Sequence, residues 1–168
     1  ADHGASNTRD ALTVLRRLET RLGCYVVLGN HDIQMGRVTS LRSAVSGMPE
    51  MSDVTLVEDN VRILDTHGIK LAIGGISSPR GWWPQDDPAL NRRVSSVVSR
   101  LSESPFSMLL SHHPEAFDVA ASAGVNLILA GRMHGGQIAL GLKGSRLSIA
   151  SLLTRYPYGV YRKGTSVM

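Results

Sequence analysis

The sequence predicts a single α/β domain over residues 1–168, and three observations lead to this prediction. First, the chain of 168 residues contains 42% hydrophobic and 19% charged residues, which is typical of a globular domain. Second, short apolar segments alternate with segments whose apolar residues recur at helical spacing. Third, three apolar segments each run into a polar cluster, at residues 29–32, 111–114 and 131–136. Because ligands bind beyond the carboxyl ends of strands in α/β sheets, the clusters predict one active site.

The composition excludes several classes of protein. A single cysteine, Cys24, excludes an internal disulfide framework and a cysteine-based zinc module. No apolar run reaches the roughly 20 residues that span a bilayer, and the first ten residues lack the features of a signal peptide. The formal net charge of +4 favours a phosphate-bearing partner or a membrane surface.

The first half of the chain predicts helices followed by strands. A helix is expected over residues 7–22, because its apolar residues fall on one face: Ala11, Val14, Leu15, Leu18 and Leu22. A continuously apolar run predicts a buried strand over 24–28, and a second helix is expected over 38–46. The strands that follow are predicted over 54–57, 61–66 and 70–76, with a turn at 59–60 and a tight turn at 67–68.

The second half of the chain again predicts strands that alternate with helices. Prolines and a glycine predict a loop over 77–88, where Trp82 and Trp83 either cover the sheet or touch a membrane interface. An apolar stripe predicts a helix over 89–102. The remaining elements are expected to be a strand over 107–111, a helix over 115–123, a strand over 125–130 and hairpins over 137–168 with turns near 143–144 and 163–164.

The residue types at 29–32 suit phosphate chemistry. The side-chain oxygen of Asn30 is a neutral metal ligand, and His31 can give a proton to a leaving oxygen. Asp32 can fix the tautomer of that histidine. The alternative is a polar turn in which these side chains only cap backbone amides.

The other two clusters contain further candidate ligands. His112 is the candidate metal ligand of its pair, whereas His113 is expected to lie in an outer shell or to be exposed. His134 can also bind a metal, and Arg132 can hold a phosphate through two parallel hydrogen bonds. The alternatives are solvated histidines at a helix start and a glycine-rich entry to a hairpin.

Three motifs resemble those of the calcineurin-like metallophosphoesterase superfamily. They are LGNHD at 28–32, LLSHHPE at 109–115 and LAGRMHGGQ at 129–137, where that family has LAGHTHGGQ. The resemblance implies a β-sandwich flanked by helices (αββα). The GGQ and the late PYGVYRKG resemble a bacterial branch of membrane-associated phosphoesterases that includes UDP-2,3-diacylglucosamine pyrophosphatases.

The resemblance also implies roles for individual residues. Two divalent metal ions (Mn, Fe, Zn or Mg) are expected, with Asn30 and His112 on the second ion and His134 on the first. His31, oriented by Asp32, would protonate the leaving group or steady the phosphoryl oxygens. The substrate phosphate would be held by the remaining two candidates, Arg132 and His113.

The chain also departs from the family pattern. The Asp-x-His and Gly-Asp-x-x-Asp motifs of the family are not present, and Arg132 stands where the family has a histidine ligand. We therefore expect a domain incomplete at both termini, which holds one metal ion or none.

Three functions follow from the sequence. The first is a metal-dependent hydrolase of phosphoesters or pyrophosphates, acting on a small molecule or a lipid, with contact to a membrane surface. The second is a degenerate module that keeps the fold without catalysis. The third, a nucleic-acid-binding domain, has only the net charge in its favour, and we expect no nucleic-acid partner. The resemblance places the protein in the cytoplasm or at a membrane, and leaves the oligomeric state open.

Overall fold

The computed structural model describes residues 13–15, 17–34, 42, 45, 53–78, 88–134, 139–142, 145–148 and 154–168. In this part of the chain the helices are α1 (Asn30–Gln34), α2 (Pro88–Leu101) and α3 (Ala116–Ser122). The first strands are β1 (Cys24–Val26), β2 (Val54–Leu56), β3 (Asn60–Thr66), β4 (Ile69–Ile76) and β5 (Phe106–Ser111). They are followed by β6 (Leu127–Ala130), β7 (Ala139–Leu142), β8 (Ser145–Ser148), β9 (Arg162–Lys163) and β10 (Ser166–Val167).

The main sheet contains six strands in the order β3-β4-β5-β6-β10-β9. Strands β4, β5 and β6 run parallel, because the crossover connections between them contain helices α2 and α3. Strand β3 joins β4 in an antiparallel hairpin, and β10 pairs with β6 in parallel. This mixed α/β architecture, a large sheet flanked by helices, is the predicted fold class.

Helix α2 covers one face of this sheet. The predicted apolar stripe is buried throughout, at 4% exposure or less for Leu90, Val94, Val97, Val98 and Leu101. The stripe packs in one core cluster with Ala72, Leu109 and Ile128 from the three parallel strands. The helix predicted over 89–102 is confirmed, with its bounds shifted by one residue.

A second, smaller sheet lies close to the end of β4. Strands β1 and β2 pair in parallel, and the Val57 amide donates to the Val26 carbonyl at 2.9 Å. Glycine at position 75 permits the close approach of this layer, since a Cβ atom there would overlap the Val57 carbonyl oxygen. The GNHD motif therefore follows a strand that lies directly against the main sheet.

The hairpin turn predicted at 67–68 is confirmed, whereas the strands on either side of the turn predicted at 59–60 belong to different sheets and Asn60 is the first residue of β3. His67 and Gly68 both have positive φ angles, 54° and 80°, as a two-residue turn between antiparallel strands requires. Strands β7 and β8 form the predicted hairpin around 143–144, and β9 and β10 turn around Gly164. Most of the loop predicted over 77–88, with Trp82 and Trp83, lies outside the described residues, as does most of the helix expected over 38–46.

The helix predicted over 7–22 is wrong in its second half. Residues 13–15 are helical. The next backbone hydrogen bonds, from the Arg17 amide to Val14 and from the Leu18 amide to Leu15, join residues three positions apart, as in tight turns. Residues 18–20 are irregular. Val14, Leu18 and Leu22 are 60%, 51% and 46% exposed. Because these three apolar side chains are exposed, little burial is available there to stabilise a helix, and periodicity alone does not hold it together.

Candidate active site

The polar clusters after the parallel strands meet at one end of the sheet. The Asn30 amide donates to Nε2 of His112 at 3.4 Å, although the two residues are 82 positions apart. The charges of His31, His134 and Arg132 all lie close enough to His112 to lower its pKa. The structure thus brings together the predicted residues of all three motifs.

The GNHD motif begins a short helix instead of a loop. Helix α1 starts at Asn30, and the Gly29 amide donates to Oδ2 of Asp32 at 2.8 Å. This contact is half of a capping box, in which the third helical residue reaches back to the amide before the helix. The contact observed for Asp32 therefore belongs to the capping alternative, and its orientation of His31 stays a prediction.

His112 is fixed between three segments of backbone. Its amide donates to the Ile76 carbonyl at 3.3 Å, and its carbonyl accepts from the Arg132 amide at 3.0 Å. Gly29 lies against its ring, where an added Cβ would come within 3.3 Å of Cε1. The half-buried imidazole consequently has a defined position beside α1.

His113 is buried, at 2% exposure, so of its two predicted alternatives the exposed position is wrong. Its ring stands edge-on to that of His112, with the centroids 5.1 Å apart. Nε2 lies 3.1 Å from Oγ of Ser78, and Nδ1 lies 3.1 Å from Nη1 of Arg132. Its backbone is held between the end of β5 and the start of α3, because its carbonyl accepts from Oγ of Ser111 at 2.9 Å and from the Ala116 amide at 3.3 Å.

Burial and positive neighbours keep both histidines neutral. Desolvation, followed by the charge of Arg132, lowers the pKa of His113 to about 3. The same two causes, with His134 and His31 as smaller contributors, lower the pKa of His112 to about 4. Neutral imidazoles can accept hydrogen bonds or bind a cation near pH 7.

Arg132 points inward, toward His113. A guanidinium group can only donate hydrogen bonds, so Nδ1 of His113 is the acceptor in this contact. The guanidinium therefore places a permanent positive charge close to the candidate metal ligand His112.

Glu115 is a buried carboxylate that the sequence analysis did not single out, although it ends the LLSHHPE motif. Oε2 lies 3.9 Å from Nδ1 of His113, and the side chain is 9% exposed. Neither carboxylate oxygen has a hydrogen-bond partner in the described part of the chain. A buried acceptor in this state favours any arrangement that brings it a proton donor.

His134 is exposed and has a left-handed backbone conformation, with φ at 48°. Residues other than glycine pay a steric cost for this conformation, and such residues are concentrated at functional sites. The position of His134 within the LAGRMHGGQ motif agrees with this tendency.

The candidate metal ligands do not form a complete centre by themselves. Among the described residues, no group of three or more His, Cys, Asp and Glu side chains could hold a metal ion. His112 and His134 supply two imidazoles, and Asn30 adds one amide. These donors fit part of a metal site, and the described residues alone do not fit a whole one.

A cavity of about 420 Å³ opens beside Arg132 and His134. Its other walls are mostly apolar and aromatic, with Leu129, Tyr156 and Tyr158 among them.

In the described residues, no helix has the length and apolarity needed to cross a membrane.

Comparison with known proteins gives two relatives of the same kind. The chain is 30% identical over 156 residues to the uncharacterized metallophosphoesterase YkuE of Bacillus subtilis (strain 168), covering 91% of this chain and 48% of that protein. It is 28% identical over 127 residues to the uncharacterized metallophosphoesterase YkoQ of the same organism, covering 76% and 43%. The chain thus spans about half the length of the curated relatives it matches.

No protein-family model matches the chain. Both relatives are named metallophosphoesterases, and the motifs at the three strand ends resemble those of the same superfamily. Metallophosphoesterases in general use divalent metal ions. Together, the similarity and the α/β architecture support the assignment of this chain to the metallophosphoesterase superfamily.

Proposed function

We propose that the protein is a metal-dependent hydrolase of phosphoester or pyrophosphate bonds, acting on a lipid-linked or nucleotide substrate. The observation that carries this proposal is the meeting of three distant motifs at one sheet end, with Asn30 against His112. The names of the two relatives support phosphoester hydrolysis. The lipid-linked or pyrophosphate substrate rests on the resemblance of LAGRMHGGQ and PYGVYRKG alone.

In this proposal Asn30, His112 and His134 contribute ligands for divalent ions, with Mn, Fe, Zn or Mg as the candidates. Because these donors make up only part of a metal centre, the chain by itself holds one ion or none. A longer protein of the relatives' length would supply the remaining ligands.

The other residues act on the substrate. His31 is exposed next to His112 and gives a proton to the leaving oxygen. Asp32 holds the start of α1, and thus His31, through its bond to the Gly29 amide. Arg132 binds a phosphoryl oxygen through N–H groups other than the one that contacts His113. His113, which is buried, acts through Arg132.

Substitution of His112 in a protein of the relatives' length tests this proposal. We expect His112→Ala to lower hydrolysis of a generic aryl phosphodiester with Mn²⁺ by more than the about 10–100-fold typical of outer-shell changes near a metal. His67→Asn is the matched control, since His67 is exposed in a hairpin turn whose positive φ asparagine tolerates. Equal losses in both variants would contradict the proposal.

The same assay separates the enzyme from a degenerate module. A degenerate module keeps the geometry around Arg132 and binds phosphate, but it turns over no substrate with any of the four metals. Phosphate binding without hydrolysis in the longer protein would therefore favour this alternative. The proposal includes contact with a membrane surface and excludes a nucleic-acid partner.

Arg132 is expected to limit metal binding in the longer protein. Its guanidinium points toward the neighbour of His112, and two unit charges 4 Å apart repel by about 4 kcal/mol at an effective dielectric constant near 20. We expect about one tightly bound ion per chain, and a ratio closer to two in Arg132→His, by elemental analysis. Arg62→His serves as the control, since Arg62 is exposed on strand β3. Two tightly bound ions without any substitution would refute this expectation.

A further inference from the structure

Strand β4 ends in a pair of buried serines at the same end of the sheet as the candidate site. Ser77 and Ser78 follow the strand and are 4% and 2% exposed. Ser77 accepts from the Leu28 amide at 3.0 Å, and the Ser78 amide donates to the Leu28 carbonyl at 2.8 Å. These bonds fix Ser78 next to the residue that precedes the GNHD motif.

The hydroxyl of Ser78 faces the ring of His113. Oγ lies 3.1 Å from Nε2, while Nδ1 at the other side of the ring lies 3.1 Å from Nη1 of Arg132. Because guanidinium donates only, Nδ1 must be the unprotonated nitrogen, and Nε2 must carry the hydrogen. The Nε2–H group therefore donates to Ser78.

We infer that Ser78 is a positioning residue, which holds His113 in the tautomer that accepts Arg132 and so sets the place of the guanidinium at the candidate site. Serine supplies the acceptor that a buried Nε2–H group needs. The part of this inference that concerns phosphate rests on the proposed function.

Glu115 makes the choice of tautomer sensitive to Ser78. Its carboxylate lies 3.9 Å from Nδ1, and neither oxygen has a hydrogen-bond partner among the described residues. When Nε2 loses the hydroxyl of Ser78, we expect the proton to shift toward Nδ1, where Glu115 can accept it after a small movement. An Nδ1–H group then faces the N–H group of Arg132, and two donors cannot bond to each other.

The tautomer of His113 can be measured without activity. In the ¹⁵N-labelled chain, two-bond ¹⁵N–¹H correlations should show a protonated Nε2 and an unprotonated Nδ1. We expect Ser78→Ala and Ser78→Cys to shift the population toward protonated Nδ1. Cysteine nearly preserves the buried volume but is a weak acceptor, so it separates hydrogen bonding from packing. Ser78→Thr should restore the original tautomer.

Ser107→Ala is the matched control. Ser107 is also a buried serine, 4% exposed, and its hydroxyl contacts Oδ1 of Asn126 at 3.2 Å, at the opposite end of β5. This variant should leave the tautomer of His113 unchanged.

Titration with inorganic phosphate tests the consequence for Arg132. We expect Ser78→Ala and Ser78→Cys to bind phosphate about tenfold more weakly, which corresponds to the loss of one charge-assisted contact. Ser78→Thr and Ser107→Ala should keep the affinity of the unsubstituted chain.

The outcomes distinguish this inference from the proposed function. An unchanged tautomer in both Ser78→Ala and Ser78→Cys, or a protonated Nδ1 in the unsubstituted chain, overturns the positioning role. An equal loss of phosphate affinity in Ser107→Ala overturns it too. If the unsubstituted chain binds no phosphate while the tautomer shifts as expected, the positioning of Arg132 stands and its proposed substrate contact is wrong.

Discussion

Gly75→Ala is expected to destabilise the protein by about 3 kcal/mol or more, at the upper end of the range for overpacked sites. An added Cβ would overlap the Val57 carbonyl oxygen and come within 2.7 Å of the Val57 Cβ. Both atoms belong to the chain of the second sheet, whose position is fixed by the bond from the Val57 amide to Val26. The clash can be relieved only if the two sheets separate, and denaturant unfolding measures the cost.

Two other glycines provide matched comparisons. At Gly74 a Cβ would come within 2.7 Å of Val97 Cγ1 and 2.9 Å of Leu101 Cδ1, which are ends of side chains that can move. We expect Gly74→Ala to cost about 1–2 kcal/mol. At Gly131 no atom of the described residues lies within 4 Å of the added atom, so Gly131→Ala should change stability by less than about 0.5 kcal/mol. A different order among the three variants would show that the sheets do not approach each other at Gly75.

Local patterns predicted those elements whose apolar face has a partner in the described chain. The stripe of α2 fits against Ala72 and Leu109, so the helix forms at the predicted place. The same kind of stripe at Val14 and Leu18 remains exposed, and there the predicted helix ends early. Periodicity specifies which face would be buried, but it contains no information about what is available to cover that face.

The candidate site also combines features that the sequence predicts with features that it does not. Strand-end placement correctly predicted that Asn30 and His112 meet, because this depends only on topology. The burial of His113, the cap formed by Asp32 and the serines after β4 depend on where side chains point. The strand-end rule could have identified Ser77 and Ser78, since they follow β4 as the other clusters follow their strands.

Acidification is expected to destabilise the metal-free chain well above the pH at which carboxylates titrate. The pKa of a histidine in an unfolded chain is about 6.5, whereas burial and Arg132 lower the pKa of His112 to about 4 and that of His113 to about 3. Between these values the unfolded state binds protons that the folded state does not bind. Stability therefore rises with pH in this window and falls as the pH drops from 6.5 toward 4.

Each histidine contributes at most about 1.4 kcal/mol of lost stability per pH unit within the window. Because His112 is only half-buried, solvent screens part of its share, and His113 should dominate the slope. The free energy of unfolding, measured with a chelator between pH 7 and pH 5, gives this slope. His113→Gln is expected to be less stable at pH 7, because it loses its contacts with Ser78 and Arg132, but to have a clearly smaller slope. His67→Asn should retain the full slope. A stability that does not change between pH 7 and pH 5 would show that the fold holds neither His112 nor His113 neutral.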